Sequence, residues 1–188
     1  MKIWTIQPLE IWQMIQNTGV YICDPELSSM PDFAFAYDWM AEQMTNSIGE
    51  PPTGIVYPVW GWYRLRGKHK KPDLRSERWC YGSGGEDYTC IELEIPDDEV
   101  MLSDFDKWHY ILNDDYYFFS PDDEWNAQQE IYYATLSDKD KDSFKRRNWQ
   151  GVFEIEQSKN VQATFWSLKK EDVRNVWNFR TGLAKSDR

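Results

Sequence analysis

The densest group of reactive side chains lies in Val100–Asn113, where Asp104, Asp106, Trp108, His109 and Asn113 fall within one short run. Carboxylates beside an imidazole are components of proton transfer, because a histidine exchanges its proton near neutral pH. The same run also reads as a helix start. Ser103 is a capping residue type, and Asp104 and Asp106 in a first turn would meet the positive end of the helix dipole. Phe105, Trp108 and Leu112 then share a face, with His109 beside it. Two readings stay open: the polar wall of a cleft, and a structural helix with a satisfied histidine.

A second group is aromatic. The chain holds eleven Trp, eleven Tyr and nine Phe. Buried Trp and Tyr need partners for their N–H and O–H groups, and flat rings also stack on flat ligands, so an aromatic core and an aromatic-lined cleft are both open. The run Ile55–Leu65, IVYPVWGWYRL, concentrates them. Its β-branched and aromatic composition predicts a strand, with Val56, Pro58, Trp60 and Trp62 on one side and Tyr57, Val59, Gly61 and Tyr63 on the other. Pro58 lacks a ladder donor, which predicts an edge strand or a bulge there. Gly61 allows close approach of a neighbouring strand or a ligand.

Charge is uneven. The total is −11, yet Arg64–Arg78 holds seven Lys and Arg against Asp73 and Glu77, so that window is +5 and the rest −16. The window reads as a solvated hairpin turning at Gly67, or as a loop that contacts phosphate. The acidic total argues against strong nonspecific binding to nucleic acid or to an anionic membrane. Cys23, Cys80 and Cys90 form no CxxC, no metal-ligand spacing is present, and no apolar run approaches the roughly 18 residues of a membrane span. An odd cysteine count, with no signal-peptide pattern after Met1, predicts a reducing cytoplasmic setting and no metal.

The positioning elements follow from periodicity. The length of 188 residues predicts one globular domain over 1–188. Ile3–Ile6 reads as a strand, and Leu9–Asn17 as a helix opened by Pro8 and closed by Gly19. Ser28-Ser29 and Pro31 announce a second helix, with Phe33, Ala36, Tyr37, Met40 and Met44 as its stripe. Thr89–Ile95 alternates as a half-buried strand and leads into Val100–Leu102. Residues 121–150 read as a helical excursion, opened at Ser120-Pro121 and again at Ser137. Val152–Ile155 and Val161–Leu168 read as the last strands, and Lys169–Phe179 as a helix with Val173, Val176 and Trp177 inward. The tail from Thr181 reads as frayed. The fold class expected is α+β, a mainly antiparallel twisted and split sheet with flanking helices.

Long tryptophan-rich segments carry a resemblance. IWTIQPLEIW (3–12), AYDWMAEQM (36–44), YPVWGWY (57–63), KKPDLR (70–75), LSDFDKWHYILN (102–113) and QATFWSLKKEDV (162–173) resemble an uncharacterised bacterial and phage domain family. More distantly, the opening strand, helix and glycine stop, and the strand before LKKEDVRNV, look like small ADP-ribosyltransferase-like domains. That likeness implies an ADP-ribosyltransferase-like fold with NAD between the opening strand and Val161–Leu168. Thr5 falls where those domains hold NAD with a His or Arg, and Gln162 falls where they carry a catalytic Glu. Neither is charged, and Glu154, Glu156 and Asp104 are the candidates for a replacement carboxylate.

The site expected from these readings has Gln162 and His109 in the catalytic roles. Gln162 would orient the nicotinamide ribose, and His109 would accept a proton from the target. Ligand-binding residues would be Thr5 on the adenosine-side ribose, Trp60 or Tyr63 stacking, and Arg64 or Lys71 at the pyrophosphate. Gln7, Tyr57, Arg75, Asp104 and Asn113 complete the set. The first functional reading is an NAD-dependent ADP-ribosyltransferase-like protein acting on a macromolecule or a nucleotide, with a nucleotide-like small molecule and a protein target as partners. The second is a noncatalytic nucleotide-binding or small-molecule-binding protein with an aromatic cleft. The third is an acidic interaction or inhibitor protein that imitates nucleic-acid charge.

Overall fold

The computed structural model describes residues 1–23, 31–78, 80–81, 84–117 and 122–182. Its organising strand is β1 (Lys2–Pro8), which buries Ile3, Trp4, Thr5 and Ile6 in succession. A run buried on both faces belongs inside a sheet. Pro8 ends it with no ladder donor to lose, and α1 (Leu9–Thr18) begins at once. Gly19 closes that helix at φ 86°, its N–H donating to the Ile15 carbonyl at 2.9 Å, as a left-handed glycine stop requires.

The remaining elements are β2 (Val20–Tyr21), α2 (Ala34–Ile48), β3 (Val59–Arg64), α3 (Leu74–Glu77), β4 (Asp87–Glu94), β5 (Met101–Asp104), α4 (Phe105–Leu112), α5 (Asp123–Thr135), α6 (Asp138–Trp149), β6 (Val161–Phe165), β7 (Leu168–Lys169) and β8 (Val173–Arg180). Among the described residues six strands form one antiparallel sheet, ordered β5-β6-β3-β1-β4-β8, while β2 and β7 pair separately. The chain is a single α+β domain, with helices flanking that sheet.

Strand alternation sorts the side chains into two layers. On one face Ile3, Val59, Ile91, Leu93, Ala163 and Phe165 pack with Ile11 and Ile15 of α1. The other face is covered in two patches. Met101 and Trp60 meet α2, α4 and the end of α6 through Met40, Met44, Trp108 and Trp149. Trp4, Ile6 and Cys90 meet Leu74, Tyr81, Trp177 and Phe179. Between these two covers the sheet is not sealed.

The gap coincides with an opening in the ladder. β1 and β4 stay paired from Lys2–Glu94 to Pro8–Tyr88, whereas β1 and β3 share the Trp4–Trp62 register alone. Beyond it the strands part, and the Thr5 hydroxyl donates to the Trp60 carbonyl at 2.7 Å in place of a ladder bond. Gly61 permits the close approach just before the parting. A Cβ there would lie 2.6 Å from Ile3 Cγ2 and 3.3 Å from the Trp4 carbonyl oxygen. The close neighbour of Gly61 is therefore the adjacent strand.

Several sequence expectations are corrected. Lys169–Phe179 is not a helix; Val173–Arg180 pairs antiparallel with β4 as an outer strand. A register shift at Glu92–Leu93 puts Val173 opposite Leu93 and Val176 opposite Ile91, so residues three apart share a face and mimic a helical stripe. The Val152–Ile155 strand is instead a short turn of 3-10 helix, Gln150–Phe153, with Val152 buried. β3 is interior between β6 and β1; Pro58 precedes it, and its register shift lies between Trp62 and Arg64. Ser103 is buried in β5, and the cap of α4 is Asp104, whose Oδ1 accepts from the N–H groups of Asp106 and Lys107. Of the α2 stripe, Ala36, Met40 and Met44 are buried, and Trp39 is buried with them.

The 121–150 segment is α5 and α6, capped by Asp122 and Ser137. The helix starts read at Ser28-Ser29 and Ser120-Pro121 lie outside the described residues, as does the tail beyond Gly182. Among the described residues no helix is long and apolar enough to cross a membrane.

Candidate functional site

The unsealed part of the sheet is a cleft of about 480 Å³. Its floor is the diverging strands: Ile6 and Gln7 of β1, Trp60 and Trp62 of β3, and Gln162 of β6. Register explains why the β3 and β6 residues converge. Trp62 stands opposite Gln162 and Trp60 opposite Thr164, so Trp60, Trp62 and Gln162 lie on one face of adjacent strands. The walls come from each cover: Phe105, the first residue of α4, on one side, and Glu77 and Tyr81, at and beyond α3, on the other. Arg66 and Asn160 complete the rim.

The polar groups of this cleft are unevenly satisfied. Trp62 Nε1 donates to the Tyr81 hydroxyl at 2.8 Å. Burial pushes the Tyr81 hydroxyl up to about 12, against a smaller lowering by the Trp62 hydrogen bond, so it keeps its own proton to donate. Trp60 Nε1 and Gln162 Oε1 are buried without a hydrogen-bond partner among the described residues. Such groups are uncommon, and each costs roughly 1–3 kcal/mol while unmet. Glu77 and Arg66 are the charged side chains of the lining, joined at 2.9 Å.

Of the residues expected from the sequence, the structure brings Gln162, Trp60 and Gln7 to this cleft. Thr5 lies directly beneath it, fully buried, its hydroxyl donating to the Trp60 carbonyl and accepting from Gln7 Nε2 at 2.8 Å. His109 reaches the cleft only through Phe105: its Nδ1 is 2.8 Å from the Phe105 carbonyl oxygen and its ring packs edge-on to that ring.

The others are elsewhere. Asn113 ends α4 and donates to the His109 carbonyl. Asp104 is spent on the α4 cap and on Ser158 Oγ. Tyr63 belongs to the opposite face and packs on His69, at 4.3 Å between ring centres. Arg64 donates to the Ile155 and Ser158 carbonyls. Lys71 lies over the Trp177 ring, Arg75 is exposed beside Asp73, and Tyr57 donates to Asp38 of α2. Glu154 and Glu156 are exposed outside the cleft lining.

Glu77, Tyr81, Phe105, Asn160 and Arg66 enter the site without having been singled out from the sequence. An ion pair could have been suspected at Glu77, because it is one of two acids among seven cations; its burial was not readable. Among the described residues no three His, Cys, Asp or Glu side chains gather as a metal site would need.

No curated protein and no solved structure matches this sequence. One family profile does, over residues 2–174, which spans the sheet up to the first two residues of β8 and takes in every residue of the cleft. The chain therefore belongs to the family described as Domain of unknown function (DUF3841).

Proposed function

We propose that the cleft between the two covers binds a nucleotide through its flat ring, and that NAD is the nucleotide it suits. The observation that carries this reading is the pair of unmet groups, the Gln162 acceptor and the Trp60 donor, on side chains that line an aromatic cleft. A carboxamide or an amino-substituted heterocycle presents a donor and an acceptor at one edge, and its faces suit Trp60, Trp62, Phe105 and Tyr81. A small rotation of the Gln162 terminal amide, about a soft torsion, would bring its oxygen to the cleft. Tyr81 offers one further donor.

NAD, when bound, would supply an ADP-ribosyl group with nicotinamide as leaving group. In that reaction class Gln162 would hold a ribose hydroxyl next to the reacting carbon, and the remaining lining would exclude water. The meeting of β1 and β6 residues in one cleft supports it, since those are the strands the ADP-ribosyltransferase resemblance singles out. Noncatalytic binding is the second reading. It is favoured by Thr5, whose hydroxyl is already bonded inside the sheet, and by the lack of charge on Gln162.

Titration with NAD, AMP and ATP, followed by calorimetry and by fluorescence of the cleft tryptophans, tests the shared part. NAD should bind, and Gln162→Ala should weaken it about tenfold, as loss of one buried hydrogen bond predicts. No heat and no fluorescence change with any of the three at millimolar concentration removes the reading. Nicotinamide release from bound NAD then separates the two versions.

A further inference from the structure

The rim of the cleft contains a strained residue. Arg66 has φ 52° and Gly67 φ 76°, in a two-residue turn closed by reciprocal Leu65–Lys68 hydrogen bonds of 3.0 Å. Turns with both central residues at positive φ favour Asn-Gly or Asp-Gly, and an arginine in the first place is held at a cost. The turn is fixed from below. Arg66 N–H donates to Asn160 Oδ1 at 2.9 Å and Gly67 N–H to the Lys159 carbonyl at 2.7 Å.

Its guanidinium reaches from an exposed lip to a buried acid. The Arg66 side chain is 61% exposed, the Glu77 side chain 6%, and their nitrogen and oxygen are 2.9 Å apart. The other polar contacts here are weak: Ser76 Oγ lies 3.4 Å from Glu77 Oε1 and from an Arg66 terminal nitrogen. These are the charged side chains of the cleft lining, one of each sign.

We propose that Arg66 is the phosphate-recognising residue of the cleft and that Glu77 is its competitor, released when a phosphate-bearing ligand arrives. The proposal deepens the nucleotide reading and rests on it for the ring. Arginine presents a planar fork of donors that fits two phosphate oxygens; at the exposed lip one terminal nitrogen of Arg66 is held by Glu77 and the other only weakly by Ser76, so a two-pronged phosphate contact competes with Glu77. Phosphate binding there takes Arg66 from Glu77. A buried carboxylate left unpaired is costly, so the exchange favours ligands that also bring hydroxyl donors to Glu77. A phosphate and sugar hydroxyls together meet both demands, and a nucleoside or an inorganic anion meets one.

AMP, adenosine and pyrophosphate are the probes. The wild-type protein should prefer AMP to adenosine by about tenfold, the worth of one charge-assisted contact. Glu77→Gln should raise that preference by removing the competitor. Arg66→Asn alone would leave Glu77 unpaired and risks the fold, so the informative variant is Arg66→Asn/Glu77→Gln, which suits the turn and removes the buried charge. It should still bind adenosine measurably through the ring, more weakly by the sugar contact to Glu77, and show no AMP preference. Adenosine binding with no wild-type preference for AMP, or a preference that survives the double variant, overturns this inference and leaves the ring reading standing. If neither nucleoside nor nucleotide binds, pyrophosphate decides. A rise in melting temperature in the wild type that the double variant lacks supports the Arg66 assignment without the ring reading, and no rise overturns it.

Discussion

Thr5→Val separates a ligand contact from a structural clamp. Thr5 is fully buried, its hydroxyl donates to the Trp60 carbonyl at 2.7 Å, and it accepts from Gln7. Valine keeps the shape and replaces the hydroxyl with a methyl. The Trp60 carbonyl then loses its side-chain donor where the β1–β3 ladder opens, at a cost of roughly 1–3 kcal/mol. Gln7 is half-buried at the strand end and can turn to water, so its loss adds little. The new methyl gains up to about 0.8 kcal/mol of apolar burial. The net is a destabilisation of about 1–2 kcal/mol, or a Tm lower by roughly 2–8 °C for a chain of this size. Urea unfolding followed by tryptophan fluorescence reads it as a lower midpoint at an unchanged slope. Thr5→Ser keeps the hydroxyl and should lose about 1 kcal/mol through the missing methyl alone. Stability of Thr5→Val within about 0.5 kcal/mol of wild type, together with weakened nucleotide binding, would refute the clamp and return Thr5 to the ligand.

Gly61→Ala should cost about 1–3 kcal/mol, because the new methyl meets Ile3 Cγ2 at 2.6 Å and the Trp4 carbonyl oxygen at 3.3 Å. An unchanged urea midpoint would mean that the two strands yield freely. Glu92 gives a pH prediction. Burial pushes its carboxyl up, but hydrogen bonds from Asn175, Trp4 and Lys2 outweigh that and hold it below the usual range. A carboxyl lowered in the folded state stabilises above its unfolded pKa of roughly 4.3, and that contribution fades as pH falls through the folded value. Glu92→Gln should therefore flatten the acid limb of stability against pH. Parallel loss in variant and wild type between pH 5 and 2.5 would contradict it.

Legibility followed the physics of each signal. β4 and β6 were readable because their apolar residues recur at a period of two, β1 because a short apolar run suits a strand buried on both faces, and α1 because Pro8 and Gly19 mark both its ends. β8 was misread for a reason the structure supplies. A register shift places Val173 and Val176 on one face, and a spacing of three belongs equally to a helix and to a strand with an extra residue. Ser103 and Asp104 are both capping types, and nothing local says which begins the helix; both pair with β6, and Asp104, the last residue of β5, has the carboxylate that accepts from the first N–H groups of α4.

The cleft divides along the same line. Trp60 and Trp62 were assigned a common side by alternation, and Gln162 entered through the ADP-ribosyltransferase resemblance, so the floor was within reach of the sequence. The α3 wall was not. Glu77 ends and Tyr81 follows a four-residue helix, Leu74–Glu77, whose position is set by packing of Leu74 and Tyr81 against Ile6 and Cys90. Contacts between distant segments leave no periodicity behind them. The same holds for Arg66, whose value to the cleft depends on a turn fastened to Asn160, 94 residues away. His109 lies outside the cleft lining for a related reason: it is close to Asp104 in sequence, yet the helix uses Asp104 for its own cap and turns His109 onto Phe105. A cluster of reactive residues along the chain is thus weaker evidence for a site than one buried acid and two unmet polar groups that meet only in the folded sheet.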